Sequence, residues 1–156
     1  MIASDLLETD IPTLSPDDTI VAAAELLTRY QHSALPVVDA EGRLLGAVSE
    51  NDLLALALPA GAAPELERLS YLPRCYGLRD LSDERLRAVR VSQIMRVEGV
   101  VTVTEDELAA QVALLIIRHH QPQVFVLRAG RLVGRLCRKQ IIAQMVNPTL
   151  GVACHP

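Results

Sequence analysis

The sequence predicts a mixed α/β fold of the α+β kind, built from two copies of one helix–strand–strand–helix unit. Three observations predict it. Shifted by 88 residues, Ile20 to Leu54 lies over Leu108 to Ile142 without a gap, and nine of the 35 pairs are identical: Ala22/Ala110, Leu26/Leu114, Leu27/Leu115, His32/His120, Val38/Val126, Gly42/Gly130, Arg43/Arg131, Leu44/Leu132 and Gly46/Gly134. In the first copy, Ile20, Ala23, Ala24 and Leu27 follow the i, i+3, i+4, i+7 spacing of an amphipathic helix. Short β-branched runs flank a turn glycine in each copy, the pattern of a hairpin.

Taken in order, Ser4-Asp5-Leu6-Leu7 suits a short helical turn, and Ile11 to Leu14 is extended. Ser15-Pro16-Asp17-Asp18 makes a turn and helix start, with acids at the positive helix end, so a helix runs from Thr19 to about Gln31. Leu35 to Asp39 and Arg43 to Val48 are strands, joined by Ala40-Glu41-Gly42 with Gly42 free to take positive φ. Ser49-Glu50-Asn51-Asp52 opens a closing helix through Leu56. The lead-in returns as Ser92-Gln93-Ile94-Met95 and Val100 to Val103, and Thr104-Glu105-Asp106-Glu107 has the form of a capping box for the repeated helix. Between the copies, Pro59, Gly61 and Pro64 end the first closing helix. Glu65 to Tyr71 and Ser82 to Ala88 are then helical pieces, and the residues after Asn147-Pro148 form a tail. The divisions expected are 1–58, 59–91, 92–147 and 148–156.

Composition narrows the function classes. Half of the 156 residues are hydrophobic, enough for a core, and with three Tyr, one Phe and no Trp that core is aliphatic. Net charge is −4 with signs interspersed, which argues against a nucleic-acid footprint. Three cysteines, Cys75, Cys137 and Cys154, lie far apart without C-x-x-C spacing, so neither a disulfide framework nor a zinc site is expected, and a reducing cytoplasm fits. The acidic start MIASDLLETDIP does not read as a leader, and the longest apolar run, Leu53 to Ala63, is interrupted by Pro59. No phosphate-cradling loop, dinucleotide fingerprint or nucleophile elbow is present, and Cys75 has no arguable catalytic partners, so no enzyme is expected.

Ser33-Ala34-Leu35-Pro36-Val37-Val38-Asp39, then Gly42-Arg43-Leu44-Leu45-Gly46-Ala47-Val48, then Ser49-x-x-Asp52, closely resembles a CBS domain, named after cystathionine β-synthase. The second copy keeps Gly130-Arg131-Leu132-Val133-Gly134. It departs where Pro36, Asp39, Ser49 and Asp52 become Val124, Leu127, Cys137 and Gln140. The resemblance implies a tandem pair, each repeat β-α-β-β-α, packed sheet to sheet about a pseudo-twofold axis with two clefts. It implies a stand-alone regulatory module sensing AMP, ADP, ATP or S-adenosylmethionine, with no required cofactor, that modulates an unknown partner protein. A ligand-free dimerisation or protein-interaction module is the alternative, and the apolar faces Leu53-Leu54-Leu56-Leu58 and Ile141-Ile142-Met145 suggest a homodimer under either reading.

For the site, Ser49 offers a hydroxyl at the amino end of a helix, where an anion is favoured. Asp52, three residues on, can accept from both ribose hydroxyls, yet S-x-x-D is equally a capping box that needs no ligand. The resemblance adds an adenine wall of Val97, Val100, Val101, Gln121, Pro122 and Gln123, and His32 is a candidate cation. A second, weaker cleft would use Thr9, Asp10, Ile11, Ser33, Ala34, Leu35 and Pro36 facing Cys137 and Gln140, a pair poor at binding sugar and phosphate. His119, His120, Arg118 and Arg138 are further cations. Adjacent His119 and His120 point apart on a helix, so no metal is expected.

Overall fold

The computed structural model describes residues 1–58 and 84–147. The expected helix over Glu65 to Tyr71, Cys75, Cys154 and the tail lie outside the described residues, as does most of the connection. The elements are α1 (Ile20–Tyr30), β1 (Ala34–Val38), β2 (Leu44–Ser49), α2 (Glu50–Leu56), α3 (Glu84–Arg87), α4 (Val91–Ile94), β3 (Thr102–Thr104), α5 (Ala109–Arg118), β4 (Gln123–Arg128), β5 (Arg131–Cys137) and α6 (Arg138–Val146). A 3-10 turn at Ala3–Asp5 precedes them. The fold is the mixed α+β arrangement expected.

These elements form two compact units, and neither is a contiguous half of the chain. One comprises Pro12–Asp39 and Leu45–Val97; the other comprises Met1–Ile11, Ala40–Leu44 and Glu98–Pro156. Each unit therefore takes its first helical turn from the other copy's lead-in.

In the first of these units, Thr19 caps α1, its Oγ1 accepting from the Ala22 N–H at 3.2 Å, and the helix stops where Gln31 turns left-handed at φ 52°. The buried stripe Ile20, Ala23 and Leu27 packs with Leu35 and Val37 of β1, Val48 of β2 and Leu56 of α2. Val91 and Ile94 of α4, both fully buried, complete that core. Leu14 extends the sheet on one side, bridging Val37 in parallel. On the other side Arg96 bridges Ala47 antiparallel, with hydrogen bonds of 2.8 and 2.9 Å in the two directions.

The second unit repeats this order with different residues. β3, β4 and β5 form a sheet in which β3 pairs β4 parallel and β4 pairs β5 antiparallel. Glu8 bridges Arg135 antiparallel, the counterpart of Arg96 on Ala47. Ala3 and Leu6 enter the core with Val112, Ile116, Val124, Val126 and Leu136, the counterpart of Val91 and Ile94. Ala40–Leu44 joins this unit because the Leu132 N–H donates to the Gly42 carbonyl at 2.9 Å. Gly42 and Gly130 hold φ near 79° and 78° at the hairpin tips.

Two expectations change. Thr104-Glu105-Asp106-Glu107 is not a capping box: α5 begins only at Ala109, behind Leu108, which makes no side-chain cap. The Glu105 carboxylate instead holds Arg128 in a two-pronged ion pair at 2.5 and 2.6 Å, which keeps it below the usual carboxylate range. Thr104 bonds Asp106, which lowers that carboxyl too. Leu56, expected on an exposed face, is buried in the first core, while Leu54 and Leu58 stay exposed.

The matched glycines Gly46 and Gly134 mark where the lead-ins cross the hairpins. A Cβ on Gly46 would stand 2.5 Å from the Arg96 carbonyl oxygen, and one on Gly134 would collide with the Glu8 carbonyl and the Leu7 side chain. Around Gly42 there is open space. Gly134→Ala is therefore expected to cost about 2 kcal/mol or more, as overpacking against backbone does. Gly42→Ala pays only for its left-handed φ, about 1 kcal/mol. Urea unfolding of the two variants checks the order, and an equal cost would refute the crossing as the reason for these glycines.

Candidate functional site

The chemistry-bearing residues gather at two equivalent positions, one in each unit. At the start of α2, Ser49 is half-buried and Asp52 wholly buried. The Asp52 Oδ2 accepts from the Ser49 N–H at 2.9 Å and from the Ser49 hydroxyl at 2.8 Å. Asp52 N–H in turn donates to Ser49 Oγ at 3.3 Å, so the reciprocal capping box is fully formed. The other oxygen, Oδ1, accepts from Arg96 Nε at 3.0 Å. Asp52 is thus a buried anion paired to a guanidinium whose side chain keeps 46% of its exposure. Ser33 belongs to the same corner, its carbonyl accepting from the Glu50 N–H at 3.0 Å.

At the start of α6 the same fold position holds different chemistry. The Cys137 thiol makes no cap, and Gln140 Oε1 accepts from the Cys137 N–H at 2.7 Å. Gln140 is 2% exposed, and its Nε2 has no hydrogen-bond partner among the described residues. Charge has moved to the strand and lead-in: Arg135, itself buried, donates to Glu8 Oε2 through Nε and to Gln123 Oε1 through Nη1, each at 2.7 Å.

The other anticipated residues are placed as follows. His32 is buried, its ring centroid 6.0 Å from that of Tyr30. Val97 is exposed, next to Arg96, while the Val101 carbonyl accepts from the Phe125 N–H at 3.1 Å. Gln121, Pro122 and Gln123 run into β4 beside the start of α6, where the Pro122 carbonyl accepts from the Arg138 N–H and Gln123 pairs with Cys137 across the ladder. Thr9 and Ile11 follow Glu8 in the same unit as Cys137 and Gln140, whereas Ser33, Ala34, Leu35 and Pro36 are in the unit of Asp52. Each anticipated residue set is therefore drawn from both units. His119, His120, Arg118 and Arg138 are exposed. Among the described residues no three His, Cys, Asp or Glu gather as metal ligands, and no helix is long and apolar enough to cross a membrane.

Sequence reasoning missed Arg96, Glu8 and Arg135. A signal existed: Arg96 lies over Glu8 and Arg135 over Ala47 under the 88-residue shift, a change of charge at equivalent positions. Its meaning depends on which strand each lead-in joins.

Among known proteins, the chain is 27% identical to the uncharacterized protein MJ1004 of Methanocaldococcus jannaschii over 149 residues, 94% of this chain and 58% of that one. The crystal structure of MJ1004 matches with a TM-score of 0.70 at 24% identity, covering 94% of this chain and 60% of that one. Inosine-5'-monophosphate dehydrogenase of the same organism is 39% identical over 54 residues, 35% of this chain and 11% of the enzyme. The chain thus spans between a tenth and about three fifths of the curated relatives it matches. The crystal structure of CBSX2 in complex with AMP has a TM-score of 0.72 at 22% identity, covering 96% of this chain and 98% of that one. With the CBS domain model matching residues 3–58 and 91–147, more than half its length, the chain belongs to the CBS-domain family and carries the domain as a tandem pair.

Proposed function

We propose that this CBS pair senses an adenosine-containing ligand at Ser49 and Asp52 and passes its occupancy to a partner protein. One observation carries the reading: a hydroxyl, a buried carboxylate and a half-exposed guanidinium converge at the start of α2. Those groups match a sugar-phosphate, since a carboxylate accepts from ribose hydroxyls while hydroxyl and guanidinium donate to phosphate. The fold likeness to a protein crystallised with AMP supports the same class. At the equivalent position Gln140 is neutral and Cys137 a weak donor, so the second corner binds the ligand weakly or not at all. The module does no chemistry of its own in this reading, and its output is a change in affinity for the partner.

A thermal-shift series with AMP, ADP, ATP and S-adenosylmethionine tests it. At about 100 times its dissociation constant a true ligand stabilises by about 2.7 kcal/mol, several degrees in Tm. Asp52→Ala lowers the ligand-free Tm by loss of the cap and abolishes the shift, while Gln140→Ala leaves the shift intact. A shift that survives Asp52→Ala moves the site elsewhere.

Self-association is supported by a separate observation. A groove of about 500 Å³ lies between α5 and α6, lined by Ile116, Ile117, Ile141, Ile142 and Met145, and Ile117 and Met145 are 68% and 80% exposed. Apolar exposure on this scale favours a second copy as its cover. Light scattering after gel filtration is expected to give a dimer for the wild type and a monomer for Ile117→Glu/Met145→Glu. A wild-type monomer at micromolar concentration would remove this reading.

A further inference from the structure

We propose that Arg96 makes the Ser49–Asp52 site selective for phosphorylated adenosine compounds over adenosine itself and over S-adenosylmethionine, a proposal that rests on the sensing function above. Asp52 is fully buried, and its negative charge is balanced by Arg96 through Nε to Oδ1 at 3.0 Å. Oδ2 already accepts twice from Ser49. A ribose diol that donates to this carboxylate must therefore share or take Oδ1, the oxygen Arg96 holds.

The arginine is built to yield it. Its backbone is pinned to Ala47 by hydrogen bonds in both directions, while the side chain is 46% exposed, so the guanidinium can turn about a fixed Cα. Once ribose draws on Oδ1, the loosened cation needs a new counter-charge. A phosphate supplies one, with the planar two-pronged geometry a guanidinium prefers. Neutral adenosine supplies none, and a sulfonium brings a further positive charge towards an arginine already short of its partner. The equivalent corner offers no such exchange, because Glu8 stands where Arg96 does and is bound by a buried Arg135.

Isothermal titration of AMP, adenosine and S-adenosylmethionine into the wild type, Arg96→Gln and Arg96→Lys at neutral pH tests this. The wild type is expected to bind AMP about tenfold or more tightly than either competitor, the scale of one hydrogen bond to a charged group. Arg96→Gln, which keeps an amide donor for Asp52, loses that preference through weaker AMP binding with adenosine affinity little changed. Arg96→Lys retains part of it. An unchanged AMP-to-adenosine ratio in Arg96→Gln, or wild-type binding of S-adenosylmethionine as tight as AMP, overturns the role of Arg96 while leaving the sensing function standing. A wild type that binds none of the three overturns both. Should Arg96→Gln fail to fold by circular dichroism, the wild-type ratio decides: it must shrink as salt rises, and a salt-independent ratio refutes the proposal.

Discussion

The structure depends on one close approach, made twice. A lead-in backbone runs along the outer edge of a hairpin strand at a residue with no side chain, Gly46 under Arg96 and Gly134 under Glu8. Any Cβ at either glycine would occupy the space of a carbonyl oxygen. Because the approach is so tight, the two-way hydrogen bonds of Ala47 with Arg96 and of Glu8 with Arg135 can form. Those bonds deliver the preceding helical turn to the core. Val91 and Ile94 fill one interior and Ala3 and Leu6 the other.

That crossing also builds the chemistry. The residue that follows each buried turn is held beside the start of a closing helix or the strand leading to it. In one unit this residue is Arg96, and it meets Asp52; in the other it is Glu8, and it meets Arg135. The same backbone thus supports two opposite solutions to burying charge. The first leaves the cation half in water and the anion buried. The second buries the arginine and leaves the Glu8 side chain only 14% exposed, with Gln123 taking a further guanidinium donor, and such a pair is costly to separate. Equivalent scaffolds thus hold a half-exposed ion pair in one unit and a largely buried one in the other.

Much of this was legible in the chain. Helical spacing placed α1, and each end moved by one residue, because Thr19 is the cap rather than a helical residue and Gln31 turns left-handed. Hairpin residues placed β1 and β2, since glycine at a tip and β-branched residues beside it are local requirements. Ser49 and Asp52 were legible as a pair, but their spacing serves a cap and a ligand equally. The failure at Thr104 to Glu107 is instructive for the same reason. The motif is chemically capable of capping, but the chain enters α5 only at Ala109, behind Leu108, so neither Thr104 nor Glu107 stands at the helix start.

The sequence by itself determined the duplication, the element order, the aliphatic cores and the residue types at each helix start. These follow from local propensity and from burial patterns that repeat every few residues. Tertiary structure alone decided that the lead-ins change places, that Arg96 rather than solvent faces Asp52, and that Gln140 is buried with an amide nitrogen that has no partner among the described residues. The reason is physical: an ion pair between residues 44 positions apart leaves no period in the sequence, and becomes visible only when the backbone crossing brings its members together.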